Sequence, residues 1–559
     1  MKRGACLLLG ATLVVGAQAQ QSRPYVGNPL QTLPTPVPMA PTPAVRLSVQ
    51  PQRNAQLQAL LARTLVPTRF EIAGAHALPV TEMAKLFQPL AGHTVRVADL
   101  IVAADKVRAL YESHGYALSF AYIPAQTFAG GVVRVVVVEG YVAQVKIHGD
   151  AGSLEAKIRA ITSHIQDERP LRTATFQRYV QLLGRLPGAR VDVNVPAPTT
   201  TDGATRLELD VTRTRFNLAS SVDFNHPGVQ GLLSATLNGL SPLGEKLTLS
   251  TLFPRGRGSQ RYDAGSLAVP VGSDGLQLSL DGSRYDGRPD DSFQSLPDLS
   301  RRLTQHRLQL AASYPLQLSA DHIREIGGGT FRADVIDRYR NIVTNAQLSL
   351  DSRVRVLFAT FDDQRTSTRR SRKINFAIAR GLDRWGAESV ARSSLSDVPL
   401  AYPGDVAFTR YNASLEQADR WTARFGTRFS VAAQYSADTL PSTERITFGG
   451  ARYALAYDPG EAAGDSGWGL SLELNRNWSV GKRYLKTLTP YAVAQVARVY
   501  VHQGHLPIDR LGSAGVGLRM SDDRHYAVDL TVAQPFGDRP LEASHRRPRI
   551  NLGFSYQLR

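Results

Sequence analysis

From Phe216 to Arg559 the chain runs for 344 residues without helical periodicity. It is cut instead into segments of about ten residues in which apolar and polar side chains alternate, the period that sends successive side chains to opposite faces of a strand. Phe425, Thr427, Phe429, Val431, Ala433 and Tyr435 alternate with Gly426, Arg428, Ser430, Ala432, Gln434 and Ser436. The last segment sets Ile550, Leu552, Phe554, Tyr556 and Leu558 against Arg549, Asn551, Gly553, Ser555 and Gln557. Counting 343–362 as one long strand gives about sixteen segments, a number within the range of closed membrane barrels. A soluble sandwich of this length would need several cores. A membrane barrel needs only an apolar face outward and a polar face inward on every strand, with closure removing the unpaired edges that lipid cannot satisfy. Residues 215–559 are therefore expected to form a transmembrane antiparallel β-barrel of about sixteen strands.

The opening of the chain fits export. Lys2 and Arg3 precede an apolar stretch at 5–15 and a small-x-small site at Ala17 and Ala19, so residues 1–19 read as a signal peptide. The only cysteine, Cys6, lies inside it, which leaves the mature chain without disulfides, thiol catalysis or thiolate metal sites. No later run is long and apolar enough for a membrane helix. Eight prolines between Pro24 and Pro51 make 20–66 an extended linker, with Leu57, Leu60 and Leu61 on one face of a possible short helix at 52–64 that is either a pore plug or a spacer.

Between linker and barrel, one order of elements occurs twice. Residues 67–140 read as strand (Phe70, Ile72), helix (81–87), helix (97–113, starting near Asp99) and two strands (116–124 and 132–140). Residues 141–214 repeat it with a strand at 142–149, helices at 153–165 and 174–186, and strands at 189–195 and 205–211. The expected architecture is two α+β modules ahead of the barrel.

Nothing in the sequence argues for an enzyme or a cofactor. Gly464-Asp465-Ser466-Gly467 echoes a serine-protease loop, but Trp468 stands where the next glycine belongs, and a polar turn is the better reading. Gly327-Gly328-Gly329 lacks the helix and Lys-Ser/Thr of a phosphate loop and reads as a strand irregularity. The twelve histidines show no metal-ligand spacing, and the pairs Asp290, Asp291 and Asp522, Asp523 read as solvated loop tips. The net charge of +17 is spread along the chain, so no nucleic-acid surface is expected; it suits a face toward anionic lipid or a polyanionic exterior, although ordinary solvated charge is the better reading.

The tandem modules and barrel resemble the outer-membrane transporters of two-partner secretion, the ShlB/FhaC/HecB-type haemolysin secretion and activation proteins, whose modules are POTRA domains. The resemblance rests on Ile123-Pro124-Ala125-Gln126 through Gly131 to Val138-Glu139-Gly140 in the first module. In the second it rests on Glu168-Arg169-Pro170-Leu171 through Leu182-Leu183 to Leu186-Pro187-Gly188. In the barrel, Phe448-Gly449-Gly450 and Gly464-Asp465-Ser466-Gly467 resemble the flanks of the loop that folds back into the pore, here at about 447–467. The family's Val-Arg-Gly-Tyr/Phe motif falls on Ala454, Leu455, Ala456 and Tyr457, and its inward Asp falls on Gln495, so both members of the usual Arg–Asp pair are replaced. The loop is then expected to be held by packing around Tyr457 or by a shifted anchor at Arg452, with Asp465 as a further pore-loop candidate. Phe554 and Tyr556 stand in for the terminal aromatic as the late-strand assembly signal.

The resemblance implies an outer-membrane pore, with its POTRA domains in the periplasm, that exports a large adhesin- or haemolysin-like exoprotein. Its other partners would be outer-membrane lipid and the barrel assembly machinery. Candidate client contacts are Val132, Arg134, Arg169 and Arg172, although the largely apolar strand beginning at Val132 reads better as a buried central strand. A barrel assembly factor, a diffusion channel and a surface adhesin are the alternatives.

Overall fold

The computed structural model describes residues 63–558 apart from 117, 197, 199–201, 225–228, 256–259, 289–297, 402–403, 452, 504–505, 507 and 541–545, together with the strand Val45–Arg46. The expected signal peptide, most of the linker, residues 52–62 of the possible plug helix, Asp290, Asp291 and Arg452 lie outside the described residues. Thr64, the last residue of that expected helix, is in a short strand, Thr64–Leu65, paired with Val95–Arg96.

In the first module Arg69–Ala73 pairs in parallel with Val132–Val138, which pairs antiparallel with Phe120–Tyr122 on its other side. Helices α1 (Val80–Phe87) and α2 (Val97–Ser113) cover one face. Met83, Phe87, Leu100, Val107 and Tyr111 meet Val133, Val135 and Val137 there, all buried. Each fully buried side chain of this size contributes roughly 1.5–3 kcal/mol. Helix α2 starts two residues before Asp99, because Asp99 accepts the Arg96 N–H at 2.9 Å as the third helical residue of a capping box. That hydrogen bond holds the Asp99 carboxyl below its usual range. Glu139 ties the module together: its Oε1 accepts the N–H groups of His76 (2.8 Å) and Ala77 (2.7 Å) and the Tyr111 hydroxyl (2.7 Å).

The second module repeats the build. Its sheet runs Val45–Arg46, Ala189–Asn194, Ala204–Arg213, Tyr141–Gly149, with helices α3 (Glu155–Asp167) and α4 (Thr173–Gly184) packed on it. Leu154, Ile158, Ile165 and Leu183 close on Leu207, Leu209 and Val211, and Leu318 of the barrel enters the same core.

Sixteen long strands among the described residues, from Phe216–Asp223 to Arg549–Leu558, form an antiparallel barrel extended by three short ones. Pairing of Leu218–Asp223 with Gly553–Leu558 closes it. The period-two pattern does what alternation demands: Leu249, Leu280, Leu310, Phe376, Leu472, Leu474, Val516 and Ile550 are exposed on the outside. Gln305, Asn412, Gln434, Glu473, Gln495, Ser513 and Thr531 are buried on the inside. The long strand expected at 343–362 is Gln347–Thr366, and Leu299–Leu318 and His322–Asn341 are equally long at 20 residues. At about 3.3 Å per residue they greatly exceed the hydrocarbon thickness of about 30 Å and project from the end of the barrel far from the modules.

Two expectations need correction. Gly327, Gly328 and Gly329 sit in unbroken register between Leu299–Leu318 and Gln347–Thr366. They are glycines because the backbones approach closely, a Cβ on Gly329 lying 2.1 Å from the Leu310 carbonyl oxygen. Asp522 is not a solvated tip. Its carboxylate is buried in the turn and accepts the N–H groups of Arg524 (3.0 Å), His525 (2.6 Å) and Tyr526 (2.9 Å), which outweigh burial and lower its pKa to about 2.

The second module is fixed to the near end of the barrel. Arg178 on α4 donates to the Asp274 carboxylate at 2.9 Å and to the Pro315 carbonyl at 3.0 Å. Tyr179 (3.2 Å) and Tyr314 also donate to Asp274. Lys157 reaches the Pro270 carbonyl at 2.7 Å, Ser153 the Gly239 carbonyl at 2.6 Å, and Arg185 pairs with Glu325 at 3.1 Å. These contacts set the module against the barrel turns at 239–245, 272–275 and 319–321.

Candidate functional site

Between Phe425–Tyr435 and Ser466–Arg476 the chain leaves the far rim and turns back into the barrel. Its limbs, Ile446–Phe448 and Ala462–Gly464, pair as a small antiparallel hairpin. The turn beyond them needs glycine, since Gly449 and Gly450 have φ of 126° and 62° and a Cβ on Gly449 would lie 2.1 Å from the Asp458 carbonyl oxygen.

The tip is held by its backbone. The Leu455 N–H donates to Gln495 Oε1 at 2.9 Å, and the Leu455 carbonyl accepts Asn551 Nδ2 at 2.9 Å. One peptide segment is thereby clamped between two walls of the barrel. Gln495 is itself fixed, donating to Ser471 Oγ and accepting from Ser513 Oγ, both at 3.2 Å. Beside the clamp, Tyr457 is fully buried among Ala454, Ala456 and the inward-facing Ala497, Val499, Leu511 and Ala533. Its hydroxyl donates to the Asp538 carbonyl at 2.8 Å. Asp458 pairs with Arg549 on the last strand.

The root of the loop is a second anchorage. Asp465, fully buried, accepts from Leu440 N–H at 2.9 Å, Arg445 Nε at 3.1 Å and His502 N–H at 2.9 Å. Glu444 and Arg410 form an ion pair at 3.3 Å with both side chains fully buried. Toward the modules the inner wall carries a charged network in which Arg519 makes a bidentate pair with Glu473 (2.8 and 2.7 Å) and reaches Asp529 at 2.9 Å.

Of the candidates read from sequence, Leu455, Tyr457 and Gln495 are brought together at the tip, while Asp465 stands at the root. Asn551, Arg549, Asp538, Arg410 and Glu444 were not foreseen. Alternation marks Arg549 and Asn551 as polar positions of the last strand, but nothing local says which atom of a loop 91 and 96 residues away in sequence each meets.

The four client-contact candidates are split between the two modules. Val132 and Arg134 lie on the central strand of the first module, so they offer no free edge. Where Phe120–Tyr122 ends, the Gln126 side chain takes the place of a neighbouring strand, accepting the Arg134 N–H and donating to its carbonyl, both at 2.9 Å. Arg169 lies 4.3 Å over the ring of Tyr141, and Arg172 pairs with Glu168 at 3.6 Å, both in the connection between α3 and α4 of the second module. Tyr141–Gly149 is an outer strand of its sheet, as Arg69–Ala73 and Phe120–Tyr122 are of theirs.

Residues 65–140 match the ShlB-type POTRA domain, and residues 234–520 match the haemolysin secretion/activation protein ShlB/FhaC/HecB. The chain is 20% identical over 489 residues to the heme/hemopexin transporter protein HuxB of Haemophilus influenzae (strain 86-028NP), covering 81% of this chain and 80% of that one. It is 22% identical over 426 residues to the outer membrane transporter CdiB of Escherichia coli O6:K15:H31 (strain 536 / UPEC), covering 74% and 69%. Among solved structures, CdiB from Escherichia coli superposes with a TM-score of 0.67 at 17% identity over 91% of this chain and 93% of that one. CdiB from Acinetobacter baumannii gives 0.57 at 14% identity, over 92% and 94%. A first module that matches a POTRA domain, a closed barrel with a loop clamped inside it, and a family match over half of the chain lead to one assignment: this protein belongs to the ShlB/FhaC/HecB family of haemolysin secretion/activation proteins, transporters of the outer membrane.

Proposed function

We propose that this protein is the outer-membrane pore of a two-partner secretion pair, passing one large adhesin- or haemolysin-like exoprotein from periplasm to cell surface. The observation that carries the reading is the loop inside the barrel, held at its tip by the Leu455 clamp. Neutral hydrogen bonds of this kind contribute about 1 kcal/mol each, so an arriving extended chain can compete for the same wall groups. The polar inner face gives that chain hydrogen-bonding partners throughout, and its folding outside biases transport outward.

The second module, 141–214, is assigned as a further POTRA domain. An unfolded client would add to an outer sheet edge through main-chain bonds, which need little sequence identity. We favour the outer edge of Tyr141–Gly149 beyond Ala143, where the register shift and the Gln166 contact to the Ala143 carbonyl (3.3 Å) end. Insertion of the barrel falls to the barrel assembly machinery, with Phe554 and Tyr556 as the late-strand signal.

Comparing supernatant and outer-membrane proteomes with and without the gene tests this. Loss of one large exported protein supports the pore, and a broad fall in other barrels would make the protein an assembly factor. A photo-crosslinker at Lys146 should capture the client in transit while one at Arg134 should not; the reverse pattern would reject the proposed edge.

A further inference from the structure

On the outer surface of the barrel, strands Ser466–Arg476, Leu485–Tyr500, Arg510–Ser521 and Tyr526–Pro535 border an open apolar groove of about 540 Å³. This lies within the range of roughly 300–1,000 Å³ usual for small-molecule sites. The register explains it. Leu472, Ala494 and Ala514 lie side by side across the first three of these strands, and Leu474, Ala492 and Val516 form the next row. The central strand thus offers two alanines between exposed Leu472 and Leu474 on one side and Ala514 and exposed Val516 on the other. Two rows nearer the rim, Gly512 has no side chain, and the ring of Phe536 lies over it, so that a Cβ there would be 2.4 Å from the ring.

One further row up, the surface changes character. Trp468, Arg498 and Arg510 are adjacent in register. Arg498 and Arg510 share one carboxylate, Asp509, at 3.5 and 3.9 Å. Asp538 accepts the backbone N–H groups of Asp509 (3.1 Å) and Arg510 (2.9 Å). Arg546, exposed, donates to the Gly537 carbonyl at 2.7 Å and brings a third guanidinium beside Asp538. Arg498 also lies 5.0 Å over the outward ring of Tyr500, and Trp468 and Tyr500 form the aromatic level usual at a membrane interface. From Arg498 to Ala494 the chain runs about 13 Å along a tilted strand, or about 10 Å in depth, the arrangement of a charged head group above its hydrocarbon chain.

We propose that this face is a binding site for an anionic outer-leaflet glycolipid, with a sugar-borne phosphate at Arg498 and Arg510 and an acyl chain in the groove over Ala492, Ala494 and Ala514. Phosphate favours guanidinium pairs because it accepts two parallel hydrogen bonds from each. The site depends on the barrel's place in the outer membrane and is independent of the identity of the client.

The test is native mass spectrometry of the full chain extracted from outer membranes in mild detergent, with the barrel checked by heat-modifiable gel mobility. The wild type should retain a phosphorylated, multiply acylated glycolipid. Two variants, Arg498→Gln with Arg510→Gln and, separately, Ala494→Phe, should each lower retention roughly tenfold or more, equivalent to about 1.4 kcal/mol. Equal retention in both variants would overturn the proposal. So would retention of phospholipid alone, or a stable dimer in place of bound lipid.

Discussion

Replacing Gln495 and Asn551 together by alanine removes both wall contacts to Leu455 and leaves the rest of the loop's attachments in place. Each contact is a neutral hydrogen bond of 2.9 Å. With about 1 kcal/mol for each, the clamp amounts to about 2 kcal/mol, or roughly 30-fold in the ratio of docked to released tip. The buried Tyr457, the Asp465 contacts and the Glu444–Arg410 pair are untouched, so the barrel should still assemble. Single-channel recording in planar bilayers should show wide openings that are more frequent by about that factor. Gln495→Glu should behave closer to wild type, because a carboxylate still accepts the Leu455 N–H although it can no longer donate to Ser471. If the double alanine variant keeps a heat-modifiable barrel and its opening frequency does not change, the Leu455 clamp does not hold the tip, and packing at Tyr457 accounts for the docked loop.

Three further outcomes are expected. Glu444→Ala strands the buried Arg410 charge and should cost about 3–5 kcal/mol, seen as a lower unfolding temperature on semi-native gels, whereas Arg410→Met with Glu444→Leu should recover most of it. Glu139→Ala removes the acceptor shared by His76, Ala77 and the buried Tyr111 hydroxyl and should destabilise the first module by about 2–4 kcal/mol, read as faster proteolysis near residues 74–79 in the full chain. Burial would raise the Asp274 pKa, but the bonds from Arg178 and Tyr314 outweigh it and hold the carboxyl below its ordinary 3.8. Its contribution to docking is therefore present above that value and lost as pH falls through the lower, folded-state pKa. Asp274→Asn should loosen the second module at neutral pH, measured by spin-label distances to the barrel, and the difference from wild type should vanish only below about pH 4. A difference that faded near neutrality would reject Asp274 as the hub.

Much of the fold was legible because each strand reports its own two faces. Phe425 to Tyr435 and Arg549 to Leu558 announce an outside and an inside through period two alone, and the helices of both modules announce their buried faces through spacing of three and four. Local signals end at element boundaries. The helix at 97–113 has the expected bounds, but Asp99 is its third residue rather than its start, because it accepts the backbone N–H of the N-cap, Arg96. Gln126 gave no sign that it would stand in for a missing strand.

Two α+β modules followed by a barrel of alternating strands could be read from residue pattern alone, because each element carries its own periodicity. How the loop is held could not be read that way. Its anchor uses the backbone of Leu455, and every residue has an N–H and a carbonyl, so no side-chain pattern marks the one that will be used. The partners come from strands 40 and 96 residues further along the chain, and closure of the barrel brings them to the same peptide.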